Sequence, residues 1–489
     1  MYTQQNIREI ILNLEQKYPV DTWIVNGIYI WPYIRIKLYI HMLILMNNKS
    51  FKIKNNIKNS KKNNNTIIRV FKKAVLVFKA QFSLLLFFSR LNQKKIIFFG
   101  SHFHRIFHNG MFFNRFYDTM VEYHNLQDDI YTVEYQRIDN PIYNEKSVIP
   151  LNKYLNYYKT LKKFSDKFKK KKTELNLKDF SLFYEDLSNY NLKLDLLKIS
   201  ETEIIKWSHK VNISQAFFKK MYKYVKPSKV IFLGYYGYDD LYAALISANS
   251  LNIKTIDFQH GPQTNVHMAF SSWNKVPESG YNTMPVEFWH WDKVSKDSID
   301  AWAGKTKVIK SKVVGQPYLA YWMSNRSNKT QKNTIIYSLQ TTPFSIEALL
   351  TKKIVTLIKR SKLHWILRLH PRNNLNLNEL DDFLRRNQIK EKISIQDAFN
   401  KPLPEVLTSA LLHITNYSGC LIEAYQLGVP TLLINEVGKE MFSQYLESDL
   451  VSYLEQKDDD FVMKIELLIE KLRNKKFSSS YKEVFNPLF

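Results

Sequence analysis

The sequence predicts an α/β protein of two Rossmann-like domains facing a cleft, with an added helical region at the amino terminus. Three observations carry that expectation. Short apolar runs of strand character alternate with helical stretches of about ten residues, the pattern of βαβ units around a parallel sheet. The alternation occurs twice, from Lys94 and again from Thr334, with the apolar-free stretch SNRSNKTQKN (324–333) between them as an interdomain linker. Two of the later runs end in groups suited to anions, HPR at 370–372 and NYSG at 416–419. A Ser-Gly turn that opens a helix at the carboxyl end of a parallel strand offers free N–H groups and the positive end of a helix dipole to a phosphate. At a strand-order switch of an open α/β sheet, that is where a nucleotide sits.

The 489 residues, 45% hydrophobic and 14% aromatic, suffice for several cores, roughly two to four domains at ~100–200 residues each. The single cysteine, Cys420, excludes a disulfide framework and a Cys-rich zinc module. The start, MYTQQNIREIILNLEQKYP, lacks the basic region, apolar core and cleavage site of a signal peptide, so the expected location is cytoplasmic. A formal charge of +26 asks for an anionic partner or a solvated surface. Its densest clusters are 49–62 and 162–172 (KKFSDKFKKKK). Three readings stand: solvated faces and loops; an anionic leaflet, which attracts each nearby Lys or Arg by roughly 1 kcal/mol; and nucleic acid, for which no recognisable module is present. The segment 67–90 (IIRVFKKAVLVFKAQFSLLLFFSR) bears on the second. Its longest uncharged run, 80–89, is too short to span a bilayer. As a basic, aromatic amphipathic helix it would lie in the interface; as an ordinary helix it would be buried with snorkelling lysines.

Residues 1–93 form the helical, basic region, with 1–46 read as helical, Trp23, Trp31 and Tyr33 as core, and the Lys/Asn tract 49–65 as a loop. The amino-terminal domain, 94–323, has strands at 94–100, 129–136, 229–233, 254–258, 288–292 and 311–317, helices at 240–248 and 295–305, and a helical, basic insertion at about 150–226. The carboxyl-terminal domain, 334–475, has strands at 334–340, 364–370, 392–397, 411–416 and 430–435. Its helices are at 346–360, 378–387, 403–410, 420–427 and 460–473, and 476–489 is a tail. Two such domains leave a cleft, where ligands bind.

The order strand–HPR, strand–NYSG–helix with Glu423, strand–PTLLIN, joined to a Gln-His-Gly after a strand (DFQHGPQ, 257–263), resembles bacterial glycosyltransferases of the GT-B type. The likeness is greatest to the capsule and lipopolysaccharide biosynthesis group. It covers about 94–475 and leaves the first ~90 residues and the insertion unaddressed. It implies an enzyme that moves a sugar from a nucleotide-sugar donor to a surface polysaccharide or lipid-linked glycan, on the inner face of the cell membrane. The motifs place His370 and Arg372 at the donor phosphate or nucleotide, Ser418 and Gly419 around phosphate oxygens, and Glu423 at the ribose hydroxyls. Ser338 and Gln340, at the end of the second domain's first strand, would touch the donor. A cation and a ring N–H at a strand's carboxyl end are chemically fit to stabilise a departing phosphate.

Transfer also needs a base at the acceptor hydroxyl, with a pKa near working pH. The candidates are His260, Asp239 and Asp240, the last also suited to capping its helix. Sialyltransferase-like enzymes use an acidic residue of the amino domain, which keeps Asp239 in play; in a retaining reaction it would be the nucleophile. His102, His104 and Arg105, after Gly100, stand where an acceptor or phosphate enters. His-x-His also suggests zinc, but no Asp, Glu or Cys partner spacing supports a site. No metal or other cofactor is expected, since no DxD stands in the metal-binding context of the other major glycosyltransferase fold. The loop after 334–340 lacks the paired glycines many such enzymes carry there. The rivals are a teichoic-acid-type polyol-phosphate transferase, a nucleotide-sugar 2-epimerase and a non-catalytic scaffold for anionic ligands.

Overall fold

The computed structural model describes residues 3–46, 66–135, 139–165, 173–324, 333–340, 345–371, 373 and 375–473, excepting the side chains of 66–73 and 164. The basic tract 49–65, the lysines of 166–172, most of the linker 324–333, Arg372 and the tail fall outside it.

The amino-terminal region is not helical throughout. Helix α1 (Gln4–Lys17) is capped by the Thr3 side chain, which accepts from Asn6 N, and buries Ile7, Ile11 and Leu14 on one face. Strands β1 (Ile24–Val25) and β2 (Ile28–Tyr29) then form a hairpin. Asn26 and Gly27 between them have φ of 51° and 77°, the left-handed pair that an Asn-Gly turn supplies at low strain. Helix α2 (Trp31–Met46) is anchored by a buried ion pair, Arg35 Nε to Glu15 Oε1 at 2.7 Å, with the guanidinium 3.9 Å from the Trp273 ring centre. Trp23 and Trp31 are core, as expected. Helix α3 (Thr66–Ser89) closes the region.

The first domain runs β3 (Ile96–Gly100), a hairpin of β4 (Arg105–His108) and β5 (Met111–Asn114), α4 (Tyr117–Tyr123), β6 (Ile130–Glu134) and β7 (Val148–Pro150). The insertion follows with α5 (Leu151–Ser165), β8 (Leu175–Asn176), α6 (Phe180–Asp186), α7 (Leu194–Leu197) and the long α8 (Glu201–Val225). Strand β8 adds to β1, tying the insertion to the amino-terminal region. Then come β9 (Lys229–Phe232), α9 (Asp239–Asn249), β10 (Lys254–Phe258), β11 (Glu287–His290), α10 (Lys293–Ala303), β12 (Lys310–Val313) and α11 (Pro317–Ser324). The seven strands of the sheet are parallel, in the order β12-β11-β10-β9-β3-β6-β7. Chain order reverses between β3 and β9, so a crevice opens at their carboxyl ends. Three of the first domain's strands were not expected from the sequence: β7, only three residues long, and the pair β4 and β5 of the hairpin.

The second domain runs β13 (Thr334–Ser338), α12 (Ile346–Leu349), α13 (Lys352–Arg360), β14 (His364–Arg368), α14 (Leu377–Arg386), β15 (Ile393–Gln396), α15 (Leu403–Thr408) and β16 (Ala410–Thr415). It ends with α16 (Cys420–Gln426), β17 (Thr431–Leu433), α17 (Glu436–Met441), β18 (Val451–Tyr453) and α18 (Phe461–Arg473). Its six parallel strands lie in the order β15-β14-β13-β16-β17-β18, reversing between β13 and β16. The helix expected over 346–360 is two, because Thr351 leaves the helical backbone and its side chain caps α13.

The two domains are packed against each other. Leu421, Ile422, Leu433, Phe442 and Tyr445 of the second share one buried cluster with Phe98, Phe116, Phe258 and Trp289 of the first. Polar ties cross the same seam: Gln426 Nε2 to Trp291 O at 3.0 Å, Tyr445 hydroxyl to Asp292 at 2.8 Å, and Phe107 N to Phe399 O at 3.2 Å.

Candidate functional site

The carboxyl ends of β3, β9 and β10 meet those of β13, β14 and β16 across this seam. On the first domain's side, Asp257 at the end of β10 is fully buried and accepts from Tyr235 N at 2.8 Å and from Gly234 N. That pins the turn after β9 beneath the Gln-His-Gly loop. Gly234 has φ of +80°, and a Cβ there would lie 2.7 Å from His260 Cε1, so both backbone and space require glycine. Gln259 is structural: its amide donates to Ser295 Oγ at 3.0 Å and its carbonyl accepts from Trp291 N at 2.8 Å. The loop is thereby held rigid, with His260 facing His104 at 5.7 Å between ring centres.

His104 is 2% exposed, and neither ring nitrogen has a hydrogen-bond partner. Burial first, then the charges of His260 and Arg115, hold it well below the ordinary histidine range. His102 Nδ1 is also buried without a partner. Arg105 is different. Its Nε and Nη2 donate to Glu134 Oε1 at 3.0 and 2.7 Å, and Nη1 lies 3.4 Å from Asp118, all buried. It is a strut that locks the β4–β5 hairpin to β6, with no arm left for an acceptor. Asp239 and Asp240 open α9, whose N-cap is Tyr238. Asp239 Oδ1 accepts from Trp207 Nε1 at 2.9 Å; Asp240 Oδ1 accepts from Lys159 Nζ at 2.7 Å and Ser214 Oγ at 2.9 Å. Both carboxylates are held by the insertion, not by the His260 loop.

On the second domain's side, β14 and β16 flank β13, so His370 and Ser418 leave one sheet edge about 10 Å apart, two strand spacings. The NYSG loop touches the Gln-His-Gly-Pro loop: a Cβ on Gly419 would stand 3.1 Å from Pro262 Cδ. Ser418 Oγ accepts from Cys420 N at 3.3 Å, just before the short helix α16, whose N-cap is Gly419. Ser338 is buried, with its hydroxyl 2.9 Å from His413 Nε2, and Gln340 Nε2 reaches Thr415 Oγ1 at 3.4 Å. Glu423 is buried and accepts from Gln316 Nε2 at 3.2 Å; burial raises its pKa, and the charges of Arg115 and Arg368 oppose that rise.

Those two arginines were not among the expected site residues. Arg115 follows the β4–β5 hairpin, its guanidinium 6.0 Å from the Tyr318 ring centre, and its buried Nε has no partner. Arg368 ends β14. Its Nη2 donates to Lys401 O at 2.6 Å and Ala398 O at 3.3 Å, while its buried Nη1 has no partner. Burial lowers the Arg368 pKa, and Arg115 across the seam lowers it further. Each domain therefore contributes one guanidinium whose charge is felt at Cys420 and Glu423. Buried donors without acceptors are costly, about 1–3 kcal/mol each, and Glu423 is the acidic group beside these two like charges. Among the described residues no group of three or more His, Cys, Asp or Glu is placed to hold a metal ion.

Comparison with known proteins gives limited overlap. No family model matches the sequence, and no curated protein matches it. Among solved structures, a UDP-GlcNAc 2-epimerase from Neisseria meningitidis bound to UDP-GlcNAc shares 13% identity over 80% of this chain and 96% of its own, with a TM-score of 0.47. The UDP-GlcNAc 2-epimerase of Methanocaldococcus jannaschii gives 13%, 80%, 96% and 0.45. Medicago truncatula UGT71G1 complexed with UDP-glucose gives 11%, 80%, 92% and 0.41. The fold itself rests on the two strand orders: two doubly wound parallel-sheet domains joined face to face, the GT-B arrangement.

Proposed function

We propose that the chain is a metal-independent glycosyltransferase that moves a sugar from a nucleotide-sugar donor to a surface polysaccharide or lipid-linked glycan of the capsule or lipopolysaccharide class. The observation that supports this is the pair Arg115 and Arg368, which carry unpartnered buried donors on opposite domains and lie near enough for Arg115 to lower the Arg368 pKa. An enzyme that expels a nucleotide must hold phosphate charge as the bond breaks, and preorganised guanidiniums do so without rearrangement. His260 takes the proton from the acceptor hydroxyl while that oxygen bonds to the anomeric carbon and the carbon–phosphate-oxygen bond breaks. Its electron pair leaves with the nucleotide, onto Arg115 and Arg368. His104, kept neutral, shapes the cavity beside His260 without adding a charge. His370, Gly419 and Glu423 line the donor side.

The test is a thermal-shift panel of CMP, UDP, GDP and CDP, in which a ligand at ~100 times its dissociation constant adds about 2.7 kcal/mol. At least one should raise the melting temperature without added magnesium; none doing so at millimolar concentration would defeat the proposal. Product analysis of the matching nucleotide sugar then separates transfer from epimerisation. A 2-epimerase converts the donor alone, whereas a transferase needs an acceptor hydroxyl.

The proposal also seats the enzyme on an anionic membrane surface. Helix α3 buries Ala80, Leu84, Phe87 and Phe88 against α5 and α8, yet leaves Phe78, Phe82 and Leu85 at 74%, 55% and 60% exposure on its opposite face. Between Asp21 and Asp118 the sequence contains no Asp or Glu; α5 contains none, and α8 none after Glu203. Lys220 of α8 stands 4.3 Å from the Phe88 ring centre, beside this face. An apolar stripe on acid-free, lysine-rich helices matches a negatively charged bilayer interface. No helix among the described residues is long and apolar enough to cross a membrane.

A further inference from the structure

A cavity of about 460 Å³ lies between α2, α8 and the start of α9, and none of its lining residues belongs to the domain seam. One wall is apolar, formed by Ile36 and Ile40 together with Tyr33, whose ring is stacked on Trp207 at 3.9 Å. The polar lining includes two carboxylates. Asp239 is held by Trp207 Nε1, but Glu203 Oε2 is buried and receives no hydrogen bond. Lys198, Lys206 and Lys210 are exposed around the opening, Lys210 Nζ 3.6 Å from Asp239 Oδ2, and Lys37 donates to Leu197 O at 2.8 Å inside it. Four ammonium groups thus outnumber two carboxylates.

These features select a ligand chemistry. A buried carboxylate oxygen without a donor is completed by a hydroxyl. The apolar wall suits the C–H face of a pyranose. A nucleobase finds no free ring, because Tyr33 and Trp207 cover each other, and phosphate placed deep would meet Glu203. Positive charge at the opening suits an anionic substituent that stays near solvent. We propose that this cavity is a binding site for an acidic saccharide, with a ring hydroxyl donating to Glu203 and a carboxylate or phosphate directed toward Lys206 and Lys210. The site does not depend on the transfer chemistry at the seam. Asp239 then belongs to saccharide binding, its charge held in place by Trp207.

Three probes that share a pyranose separate the possibilities: glucose, glucuronic acid and glucose 6-phosphate, each followed by saturation-transfer NMR on the full chain. Glucuronic acid or glucose 6-phosphate should bind at least about tenfold tighter than glucose, the ~1.4 kcal/mol scale of one charge-assisted hydrogen bond. Which of the two gives the stronger response identifies the substituent. Lys206→Glu/Lys210→Glu should abolish the preference, and because both lysines are exposed this variant folds even if Glu203→Ala does not. Nucleotide thermal shifts should persist in the double variant. Equal response to all three sugars, no response to any, survival of the preference in the double variant, or displacement of the sugar by nucleotide would each overturn the proposal.

Discussion

Arg368 carries two duties on one side chain. Nη2 fastens the 398–401 loop while Nη1 waits, buried, for an acceptor. Arg368→Gln should therefore cost both stability and nucleotide affinity, the latter by about 1.5–3 kcal/mol, or roughly 10–100-fold. Arg115→Gln should lower affinity with less effect on the melt, since its Nε has no protein partner to lose. Titration calorimetry of both variants checks this, and unchanged affinity in both would remove the arginines from the site. Gly234→Ala should be worse for turnover than for binding. It forces a left-handed φ on alanine, at a cost of about 1–2 kcal/mol, and pushes on His260 rather than on the arginines. Steady-state kinetics should show a fall in kcat at near-constant donor affinity. Part of this placement was legible: the motifs set His260 after β10, and Gly419 and Glu423 at and within the helix after β16, because strand-end motifs are local. Arg368 had a signal, a lone charge in an otherwise apolar run, HWILRLH, that a buried strand tolerates only for a reason. Arg115 had none, because its proximity to Arg368 is made by the docking of two domains.

At the scale of elements, periodicity left α3 two readings, burial or the bilayer interface. One face packs inside and the opposite one is bare, the face that the proposed function lays on the bilayer. Phe78→Glu/Phe82→Glu should abolish sedimentation with vesicles containing anionic lipid while leaving the melt unchanged, because both side chains are exposed. Retained sedimentation would refute the membrane role of α3. The hairpins were among the elements that sequence reading missed. Both turn on an Asn-Gly pair, at 26–27 and 109–110, with positive φ at each residue. The strands on either side are two to four residues long, too short for an alternating pattern to show. Parallel strands such as β3, β9 and β16 were found because each is a continuous run buried on both faces, whereas the three-residue β7 and β18 were not expected.

For the whole molecule, burial of histidines sets the response to acid. His267, His290 and His413 are held by burial at about 4, 3 and 3, against 6.5 in the unfolded chain. Below pH 6.5 the unfolded chain binds protons that the folded one refuses. Stability is thus present above 6.5 and is lost as pH falls toward 4, by up to ~1.4 kcal/mol per pH unit for each histidine. Melting temperatures should drop steadily from pH 7.5 to 5, with a shallower slope in His413→Gln; a flat profile would contradict this. The first helix adds a mechanical consequence. Arg8 Nε and Glu15 Oε2 bind it to Ser272 and Asn274 of one domain, while Gln4 N donates to Glu440 Oε2 on α17 of the other, at 2.8 Å. Helix α17 in turn presses on the NYSG loop so closely that a Cβ on Gly438 would fall 2.0 Å from Asn416 O. The leading segment thus ties the two halves together from outside: clipping off residues 1–18 should loosen them and slacken the grip on nucleotide, read as a larger dissociation constant by titration calorimetry.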